Sequence, residues 1–433
     1  MQLKESNYNF IYDDLGKDQV VFYNSRTGAL AIVHEAQYEQ FKAFQETSKE
    51  IENTEFLNNL LKCGYLLPVG VDEKFLIKNN MMLGRYNKNT LSLTIAPTMA
   101  CNFRCIYCFE QGHYGNSMMD EKTQENLLKF IKAKLNSVKS VHVTWFGGEP
   151  LLGMPIIESL SQHIIALCEE KEISYKASII TNGYLLTKEV AEKLKLYKVY
   201  QAQITVDGPR EIHDARRHMA NGEKTYDVIM KNLQTVKGVI PIGLRINVDH
   251  SNMDAANRVI DDLKNKDLLK YVHPNLGLVI PYYDVYDKNV CLSNEIYAKY
   301  NLNFIIKNNI SLNSIYPKPK SHYCIADGSS GWVIDDKGFL YKCWNDIGNQ
   351  ERSIGNINSD TNQLQNTDFI QKYFSFDPMS NSQCKDCKLL PVCMGSCPHD
   401  RTENRFSCDQ RKYYLHDYLL IYAKQLIEAK ANA

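Results

Sequence analysis

The sequence predicts an α/β protein whose mainly parallel sheet lies between a small α+β domain and a cysteine-rich C-terminal segment. Three observations support this prediction. Six short apolar segments alternate with helix-length stretches, the first 70 residues change from strand-like to helical spacing, and seven of the thirteen cysteines follow residue 320. Strands that alternate with helices usually pair in parallel, with functional residues at their C-terminal ends.

The amino-terminal segment predicts a small domain of three strands and two or three helices. "YNFIY", "QVVFYN" and "ALAIVH" alternate apolar and polar residues, as half-buried strands do. "EAQYEQFKAFQETS" and "TEFLNNLLKCG" have helical spacing, and Gly64 is placed to end the second helix. We therefore expect a winged-helix-like α+β domain over 1–70 and a connecting segment over 71–90.

The middle of the chain, 91–310, predicts six βα units. The expected strands are "LSLTIAP", "VHVTWF", "YKASIIT", "YQAQITV", "IGLRINV" and "LGLVIPY". Parallel strands of this kind form an open or closed barrel, and the segment that directly follows the first strand then lies at its functional end.

Charge and composition exclude several classes of partner. Lys plus Arg and Asp plus Glu both number 50, so no net field attracts nucleic acid or an anionic membrane. The N-terminus lacks the features of a signal peptide, and no stretch is expected to supply the roughly 18 apolar residues of a membrane span. The protein is expected in the cytoplasm, where clustered cysteines are metal ligands more often than disulfides.

Three cysteines lie together in "CNFRCIYCFE", residues 101–110, with the spacing C-x3-C-x2-C. Cys101, Cys105 and Cys108 can surround one centre and leave a fourth position unfilled. Structural zinc normally takes four protein ligands, whereas an iron–sulfur cubane with three cysteines leaves one iron open. From spacing alone, a zinc knuckle or three unrelated core cysteines remain alternatives.

This loop resembles the signature of the radical S-adenosylmethionine (SAM) enzymes, with the aromatic Tyr107 between its second and third cysteines. The resemblance implies that the open iron of a [4Fe-4S] cluster binds the amino and carboxylate groups of SAM. One electron from the cluster then cleaves SAM to methionine and a 5'-deoxyadenosyl radical. It also implies that 91–310 forms a partial (β/α)6 barrel.

Motifs after the next strands add to the resemblance. "WFGGEP" resembles the GGE motif, in which Gly147 and Gly148 permit close backbone approach and Glu149 accepts hydrogen bonds from the SAM ammonium. "ITNG" and "ITVDGP" place further expected SAM contacts at strand ends: Asn182, Thr205 and Asp207. An ordinary strand-ending turn is the alternative for each motif.

Three arginines are candidates to bind the carboxylate of SAM or of a peptide. Arg216 and Arg217 lie in "HDARR", and Arg245 lies in "LRIN". For each of them, a solvated surface position is the alternative.

The C-terminal cysteines have the spacing C-x13-G-x4-C, then C-x2-C-x5-C-x3-C, then one more cysteine, with Gly338 as the glycine. This order resembles the SPASM domain, here expected over 311–433 with an amphipathic C-terminal helix. The resemblance implies two auxiliary [4Fe-4S] clusters, three clusters in all. Their expected ligands are Cys324, Cys343 and Cys397 for the first, and Cys384, Cys387, Cys393 and Cys408 for the second.

The first auxiliary cluster lacks an obvious fourth ligand, since "IYPKPKSHYC" holds no cysteine before Cys324. The cluster either keeps an open site or recruits a distant ligand, of which Cys291 is the best candidate and His322 a weaker one. The alternative for Cys291 is a free buried thiol. Cys63 and Cys168 lie in helical patterns and are expected in the core.

The resemblance implies a peptide substrate. Residues 1–70 are similar to the element that binds the leader of ribosomally made precursor peptides, whose extended chain adds to a sheet edge. We therefore expect a maturase that abstracts hydrogen from the precursor peptide and installs a thioether or carbon–carbon crosslink. Its other expected partner is a one-electron donor such as flavodoxin or ferredoxin, with no nucleic acid and no membrane.

Two other functions remain open from the sequence. Anaerobic sulfatase-maturing enzymes, which make formylglycine, carry aspartate directly after the second SPASM cysteine, where this chain has Trp344; Asp346 follows two positions later and is a candidate base. A non-enzymatic zinc or electron-transfer scaffold explains the cysteines but explains neither "GGEP" nor the six βα units.

Overall fold

The computed structural model describes residues 2–16, 18–111, 115–359 and 364–431. The chain forms two compact units. The first contains 1–86, 294–324 and 376–433, and the second contains 87–293 and 325–375. The segment expected as one C-terminal domain, 311–433, contributes to both units.

The elements are numbered in chain order. The strands are β1 (Leu3–Glu5), β2 (Asn9–Gly16), β3 (Gln19–Asn24), β4 (Ala29–His34), β5 (Leu66–Pro68), β6 (Thr90–Ile95), β7 (Ser140–Trp145), β8 (Ser174–Thr181), β9 (Val199–Thr205), β10 (Ile242–Val248), β11 (Val272–Leu278), β12 (Gly331–Ile334), β13 (Phe339–Tyr341) and β14 (Gly355–Asn356). The α-helices are α1 (Glu35–Thr47), α2 (Thr54–Cys63), α3 (Glu73–Arg85), α4 (Glu121–Lys134), α5 (Met154–Glu170), α6 (Lys188–Leu196), α7 (Arg210–Arg216), α8 (Tyr226–Thr235), α9 (Ala256–Asn265), α10 (Asn294–Lys307), α11 (Thr367–Phe374), α12 (Leu390–Cys393), α13 (Pro398–Thr402) and α14 (Leu415–Ala431).

The first unit begins with the predicted three strands, which form an antiparallel sheet in the order β2-β3-β4, while β1 pairs with β5. The helices α1 and α2 also follow the sequence prediction. Asn53 caps the start of α2 by accepting a hydrogen bond from the N–H of Phe56, and Gly64 ends that helix with φ +80°.

Helices cover both faces of this small sheet. On one face, Val20 and Phe22 of β3 pack with Phe41 of α1 and residues of α2. On the other face, Val21 and Tyr23 pack with residues of α10 and α14, including Tyr418. Because side chains alternate between the faces of a strand, β3 belongs to two cores at once. The amino-terminal sheet and the C-terminal helix therefore share one core.

The second unit is built on a nine-stranded sheet in the order β11-β10-β9-β8-β7-β6-β12-β13-β14. The strands from β6 to β11 are parallel and adjacent in chain order, as six βα units predict. β12 pairs in parallel with β6 on its other side, and β13 and β14 extend the sheet in antiparallel fashion. The predicted α/β fold class is confirmed.

The sixth strand lies upstream of its predicted position. The sequence indicated "LGLVIPY", 276–282, whereas β11 is Val272–Leu278 and contains Pro274. A proline cannot donate a ladder hydrogen bond, so its presence argued against a strand there. β11 is the edge of the sheet and pairs only with β10 among the described strands, which makes the proline tolerable.

One helical stretch contradicts the expectation that no segment is apolar enough to span a membrane. Pro150–Glu170, which includes α5, is long and apolar enough to cross a membrane by length and composition, with a mean hydropathy of 1.4 in its most apolar window. Ile157, Leu160 and Ile164 of α5 are fully buried, and the helix packs on β8 and α4. Packing against the sheet therefore accounts for part of its apolar character.

Candidate functional site

The cysteine loop that follows β6 is fixed by main-chain hydrogen bonds to the end of α7 and the segment that follows it. The N–H of Arg104 donates to the carbonyl oxygen of His218 at 2.9 Å, and that of Ile106 donates to Arg216 at 3.1 Å. An isolated antiparallel bridge also joins Phe103 to Met219. The loop between the predicted ligands is therefore held by the C-terminal side of the barrel.

The thiols of this loop lie in a largely buried setting. Burial, together with the negative charges of Glu149 and Cys105, raises the pKa of Cys101 to about 12. Burial also raises the pKa of Cys105, and the adjacent Arg217 guanidinium opposes that rise. Binding of these thiols to a metal would therefore require their deprotonation, which the positive charge of the metal favours.

The turn after β7 packs against the backbone that leads into the cysteine loop. A Cβ atom at Gly147 would lie 2.4 Å from the carbonyl oxygen of Thr98, and one at Gly148 would lie 2.3 Å from that of Ala100. Gly147 also has φ +108°. The two glycines of the motif are therefore required by close backbone contact within the protein.

Glu149 is fully buried and accepts three hydrogen bonds from the protein itself. The donors are the Thr181 hydroxyl at 2.7 Å, the Asn182 N–H at 2.7 Å and the Leu151 N–H at 3.0 Å. Burial raises the pKa of Glu149, and these bonds oppose the rise. The carboxylate thus joins the ends of β7 and β8, and its expected contact with the SAM ammonium remains a prediction.

Tyr107 is the centre of a polar network at the ends of β9 and β10. Its hydroxyl donates to Oδ2 of Asp207 and accepts from Nη1 of Arg217 at 2.8 Å and Nδ2 of Asn247 at 3.1 Å. The Arg216 guanidinium lies 5.0 Å from the centre of its ring. The structure therefore brings together Tyr107, Asp207 and Arg216, three of the residues that the sequence indicated.

Arg216 is paired with two buried carboxylates. Its Nη1 lies 2.9 Å from Oδ2 of Asp249, and its Nε lies 3.4 Å from Oδ2 of Asp207. Among the described residues, Nη2 of Arg216 and Nε of Arg217 are buried without a hydrogen-bond partner. These two donors fit an anionic group of a bound cofactor or substrate.

The remaining predicted residues occupy nearby strand ends. Asn182 donates from Nδ2 to Oδ1 of Asn102 in the cysteine loop at 2.7 Å, and Thr205 is buried at the end of β9. Arg245 donates to Oδ1 of Asn247 at 2.6 Å. The sequence reasoning missed Asn247 and Asp249, although "INVDH" ends a strand just as "ITVDGP" does.

Four of the C-terminal cysteines lie together in the first unit. Burial raises the pKa of Cys384 to about 11, and the charges of Cys393, Cys387 and Cys408 add to the rise. Within the described ranges, no three His, Cys, Asp or Glu side chains converge closely enough to hold a single metal ion. The thiolates of a cubane bind to a cluster rather than to one ion, so neighbouring thiols suffice for it.

The other expected ligands are divided between the two units. Cys324 and Cys397 lie near Tyr323 in the first unit, and Cys343 belongs to the second. Cys291, also in the second unit, donates from its thiol to the carbonyl oxygen of Asp287 at 3.6 Å. Its charged neighbours include Asp249 and Arg216. The ligand set of the first auxiliary cluster stays a prediction.

His322, a candidate cluster ligand, and Asp346, a candidate base, both lie next to polar groups of the protein. His322 lies 3.2 Å from the hydroxyl of Ser321. Asp346 is fully buried and accepts hydrogen bonds from Tyr373 at 2.6 Å, Arg352 at 3.1 Å and Tyr283 at 3.2 Å. A carboxylate with three protein donors is poorly placed to act as a base, so the geometry does not favour the predicted catalytic role of Asp346.

Comparisons with known proteins place these residues in context. The profile of the Radical SAM superfamily matches residues 95–263. The radical SAM cyclopropyl synthase TigE of Paramaledivibacter caminithermalis is 24% identical over 350 residues, which are 71% of this chain and 67% of TigE. A cysteine-type anaerobic sulfatase-maturating enzyme of Clostridium perfringens is 25% identical over 355 residues, covering 76% of this chain and 94% of that enzyme.

Among solved structures, Streptococcus suis SuiB has a similar fold. Its TM-score is 0.54 with 18% sequence identity, and the match covers 94% of this chain and 99% of SuiB. SuiB has also been crystallised with its precursor peptide SuiA.

The profile match runs from the last residue of β6 into α9 and includes the cysteine loop, the GGE turn and the Tyr107 network. SAM and a [4Fe-4S] cluster follow as cofactors. Cys101, Cys105 and Cys108 remain the predicted ligands of the cluster. The seven later cysteines have the SPASM order. The chain is therefore an enzyme with a Radical SAM domain over residues 95–263, and the SPASM assignment of its later cysteines rests on their order in the sequence.

Proposed function

We propose that this enzyme modifies a ribosomally synthesised precursor peptide and installs a thioether or carbon–carbon crosslink in it. The observation that carries the proposal is the second group of thiols, Cys384, Cys387, Cys393 and Cys408, in the same unit as the amino-terminal sheet. A crosslink made by hydrogen abstraction leaves one electron to remove, and an auxiliary iron–sulfur cluster is a suitable acceptor.

SAM, when bound, supplies the 5'-deoxyadenosyl radical that abstracts hydrogen from the peptide. The protein's own residues prepare the site for it. Glu149 holds the ends of β7 and β8 together, and Gly147 and Gly148 let the turn approach the cysteine loop. Arg216 and Arg217 each keep one buried N–H donor available for an anionic group.

The proposed cofactors are SAM and three [4Fe-4S] clusters, two of which are auxiliary. Cys384, Cys387, Cys393 and Cys408 would hold the second auxiliary cluster, and their mutual proximity supports it. Cys324, Cys343 and Cys397 would hold the first. Cys291 is retained as the candidate for a distant fourth ligand of that cluster, although its thiol donates to the carbonyl oxygen of Asp287.

The proposed partner is a precursor peptide whose leader binds to residues 1–70. β2 and β4 are the two edges of the amino-terminal sheet, and either can accept an additional strand by main-chain hydrogen bonding. The likeness to TigE and to SuiB, which was crystallised with a precursor peptide, supports such a partner. We further propose a cytoplasmic location and a flavodoxin or ferredoxin as the one-electron donor.

Formylglycine formation in a sulfatase is the second candidate, because the chain is similar to a sulfatase-maturating enzyme. Two features weigh against it. Trp344 follows Cys343, stacks on Phe146 with ring centres 5.9 Å apart, and is exposed. The nearby Asp346 is buried and already accepts three hydrogen bonds. Neither residue offers a free base at this position.

The first experiment tests the cofactors. Anaerobically purified protein is expected to be brown and to carry about twelve irons per chain, four for each cluster. Replacing Cys101, Cys105 and Cys108 together with alanine should abolish reductive SAM cleavage and remove about four irons. Continued formation of 5'-deoxyadenosine by this variant, or a colourless protein that holds zinc, would contradict the assignment.

The second experiment tests the product. The enzyme is co-expressed with the short reading frame that neighbours its gene, and the peptide is analysed by mass spectrometry. A crosslink is expected as the loss of two hydrogen atoms. An unchanged mass with an inverted residue indicates epimerisation, and conversion of Cys or Ser to formylglycine supports the second candidate. Either of these results would reject the crosslink.

A further inference from the structure

A tyrosine-rich segment, residues 282–291, follows β11 at the C-terminal end of the barrel. We call it the tyrosine strap, since it contains Tyr282, Tyr283 and Tyr286. It holds no regular element apart from a short 3-10 turn at its start. Side chains, rather than a helix or a strand, therefore determine where most of it lies.

Two of its tyrosines contact the cysteine loop. The ring of Tyr286 lies 6.1 Å from the ring of Tyr107, edge to face. The ring of Tyr282 lies 6.3 Å from the ring of Phe109 in the same geometry. Tyr107 and Phe109 flank Cys108, the third expected ligand of the SAM cluster. The strap thus packs on the part of the loop that would face the cofactor.

Hydrogen bonds fix the strap at two points. The Tyr286 hydroxyl donates to Oδ2 of Asp249 at 2.8 Å. The Tyr283 hydroxyl contacts the carbonyl oxygen of Asn345 at 2.8 Å and Oδ1 of Asp346 at 3.2 Å. Asp346 is in turn fixed by Tyr373 and Arg352. This arrangement gives the buried Asp346 carboxylate a role as an anchor for the strap.

The contact at Tyr286 completes a ring of five residues. Tyr107 donates to Asp207, Asp207 pairs with Arg216, Arg216 pairs with Asp249, and Asp249 accepts from Tyr286, whose ring returns to Tyr107. All three charged members are buried. Each residue of this ring contacts the next one. A displacement of Tyr286 would therefore be transmitted through these contacts to the loop that carries Cys105 and Cys108.

The backbone of the strap is under strain at the point where it turns. Tyr283 and Asp284 are consecutive non-glycine residues with φ +56° and +55°. Such conformations persist only where the surroundings hold them in place. Beyond this turn, Asp287, Lys288 and Asn289 are exposed. The strap therefore has a strained start, two hydrogen-bonded anchors and a solvent-facing tip.

We propose that the tyrosine strap is a cover for the cofactor site, held closed by the positioning residues Tyr283 and Tyr286, and that its opening is transmitted to the cysteine loop through the five-residue ring. A closed cover keeps water from the reacting groups and limits SAM cleavage in the absence of substrate. The proposal concerns the radical SAM chemistry itself and holds whichever product the enzyme makes.

The test uses the reconstituted holoenzyme under anaerobic conditions with the variants Tyr283→Phe and Tyr286→Phe. Each substitution removes one hydroxyl and leaves the ring in place. Limited digestion with trypsin then measures cleavage after Lys288. Cleavage in both variants should be roughly fivefold faster, the change expected on losing one hydrogen bond that holds the closed form. Tyr200→Phe, an exposed tyrosine of β9, is the matched control and should leave the rate unchanged.

Two further measurements separate the proposal from general destabilisation. Cleavage after the exposed Lys266 in the same digests should not change, and equal acceleration at both sites would overturn the proposal. The electron paramagnetic resonance signal of the SAM cluster should shift in Tyr286→Phe, because the ring of contacts is then broken. If both variants are cleaved after Lys288 at the wild-type rate, the strap is not a cover. If the signal of Tyr286→Phe is unshifted, the strap is not coupled to the cysteine loop.

Discussion

The main-chain N–H of Glu149 donates a 2.8 Å hydrogen bond to the carbonyl oxygen of Ala100, which directly precedes Cys101. This bond brings the GGE turn onto the entrance of the cysteine loop. The close approach leaves no space for a side chain at Gly148, whose added Cβ would lie 2.3 Å from the same carbonyl oxygen and 2.6 Å from that of Met99. The turn therefore fixes the backbone that leads into the cysteine loop.

The substitution Gly148→Ala should destabilise the protein. The new methyl group meets backbone atoms that cannot rotate away, so the free energy of unfolding should fall by about 1–3 kcal/mol. The variant should also retain less iron after reconstitution. Urea denaturation and iron analysis check both results. Gly243→Ala is the control, since its Cβ would meet nothing closer than 3.7 Å, and a similar loss in both variants would contradict the explanation.

A pH dependence is predicted for Asp335, in the turn between β12 and β13. Burial raises its pKa to about 6, although the Tyr341 hydroxyl and the Phe339 N–H donate to the carboxylate and oppose the rise. The unfolded value is about 3.9. The folded protein therefore binds this proton more tightly, and its stability falls as pH rises from about 4 to about 6.

Asp335→Asn removes this titration and keeps an acceptor for the main-chain N–H groups of Lys337 and Phe339. Relative to wild type, the variant should gain about 1–3 kcal/mol of stability between about pH 4.5 and about pH 7.5. Urea denaturation at both pH values measures the gain. If the difference in unfolding free energy between Asp335→Asn and wild type is the same at both pH values, Asp335 ionises normally in the folded state.

Cys384→Ala tests the proposed second auxiliary cluster. The substitution removes one of four neighbouring thiols, so iron content should fall from about twelve to about eight atoms per chain. SAM cleavage should persist, because Cys101, Cys105 and Cys108 are unaffected. Iron analysis and 5'-deoxyadenosine formation measure the two results. Cys63→Ala, which changes a cysteine at the edge of the amino-terminal core, should keep all the iron.

Tyr418→Ala tests the shared core of the first unit. Tyr418 is fully buried between α14 and the amino-terminal sheet, and its hydroxyl donates to the carbonyl oxygen of Leu312 at 3.1 Å. Losing the ring should cost about 3–5 kcal/mol of stability. Hydrogen exchange should then increase in β2 and β3. The exposed Lys424→Ala on the same helix should have little effect, and unchanged exchange in Tyr418→Ala would show that the core tolerates the loss.

Local patterns predicted much of the fold and the site. The strand order of the barrel, the capped helix α2 and the cysteine loop follow from short-range spacing, which a sequence displays directly. The placement of β11 failed because Pro274 is tolerated only at a sheet edge, and edges depend on the whole sheet. The packing of α14 on β3 joins residues nearly 400 positions apart in sequence, which no local pattern encodes.

The sequence motifs indicated candidate site residues, but they did not indicate the network that supports them. Tyr107, Asp207 and Arg216 were found from motifs, because motif residues recur next to strand ends. Asp249 and Tyr286 were missed, since their importance comes from pairing with Arg216 and packing on Tyr107 in three dimensions. Asp346 was assigned a catalytic role from its position after Cys343, and only the structure reveals its three hydrogen-bond donors.

The interleaved first unit has a consequence for synthesis of the protein on the ribosome. β2 and β3 emerge early, but one face of their sheet is covered by α14, which begins nearly 400 residues later in the chain. At about 5–20 residues per second, the apolar side chains of that face wait tens of seconds for their partner. The core between β3 and α14 therefore cannot close until α14 has been synthesised.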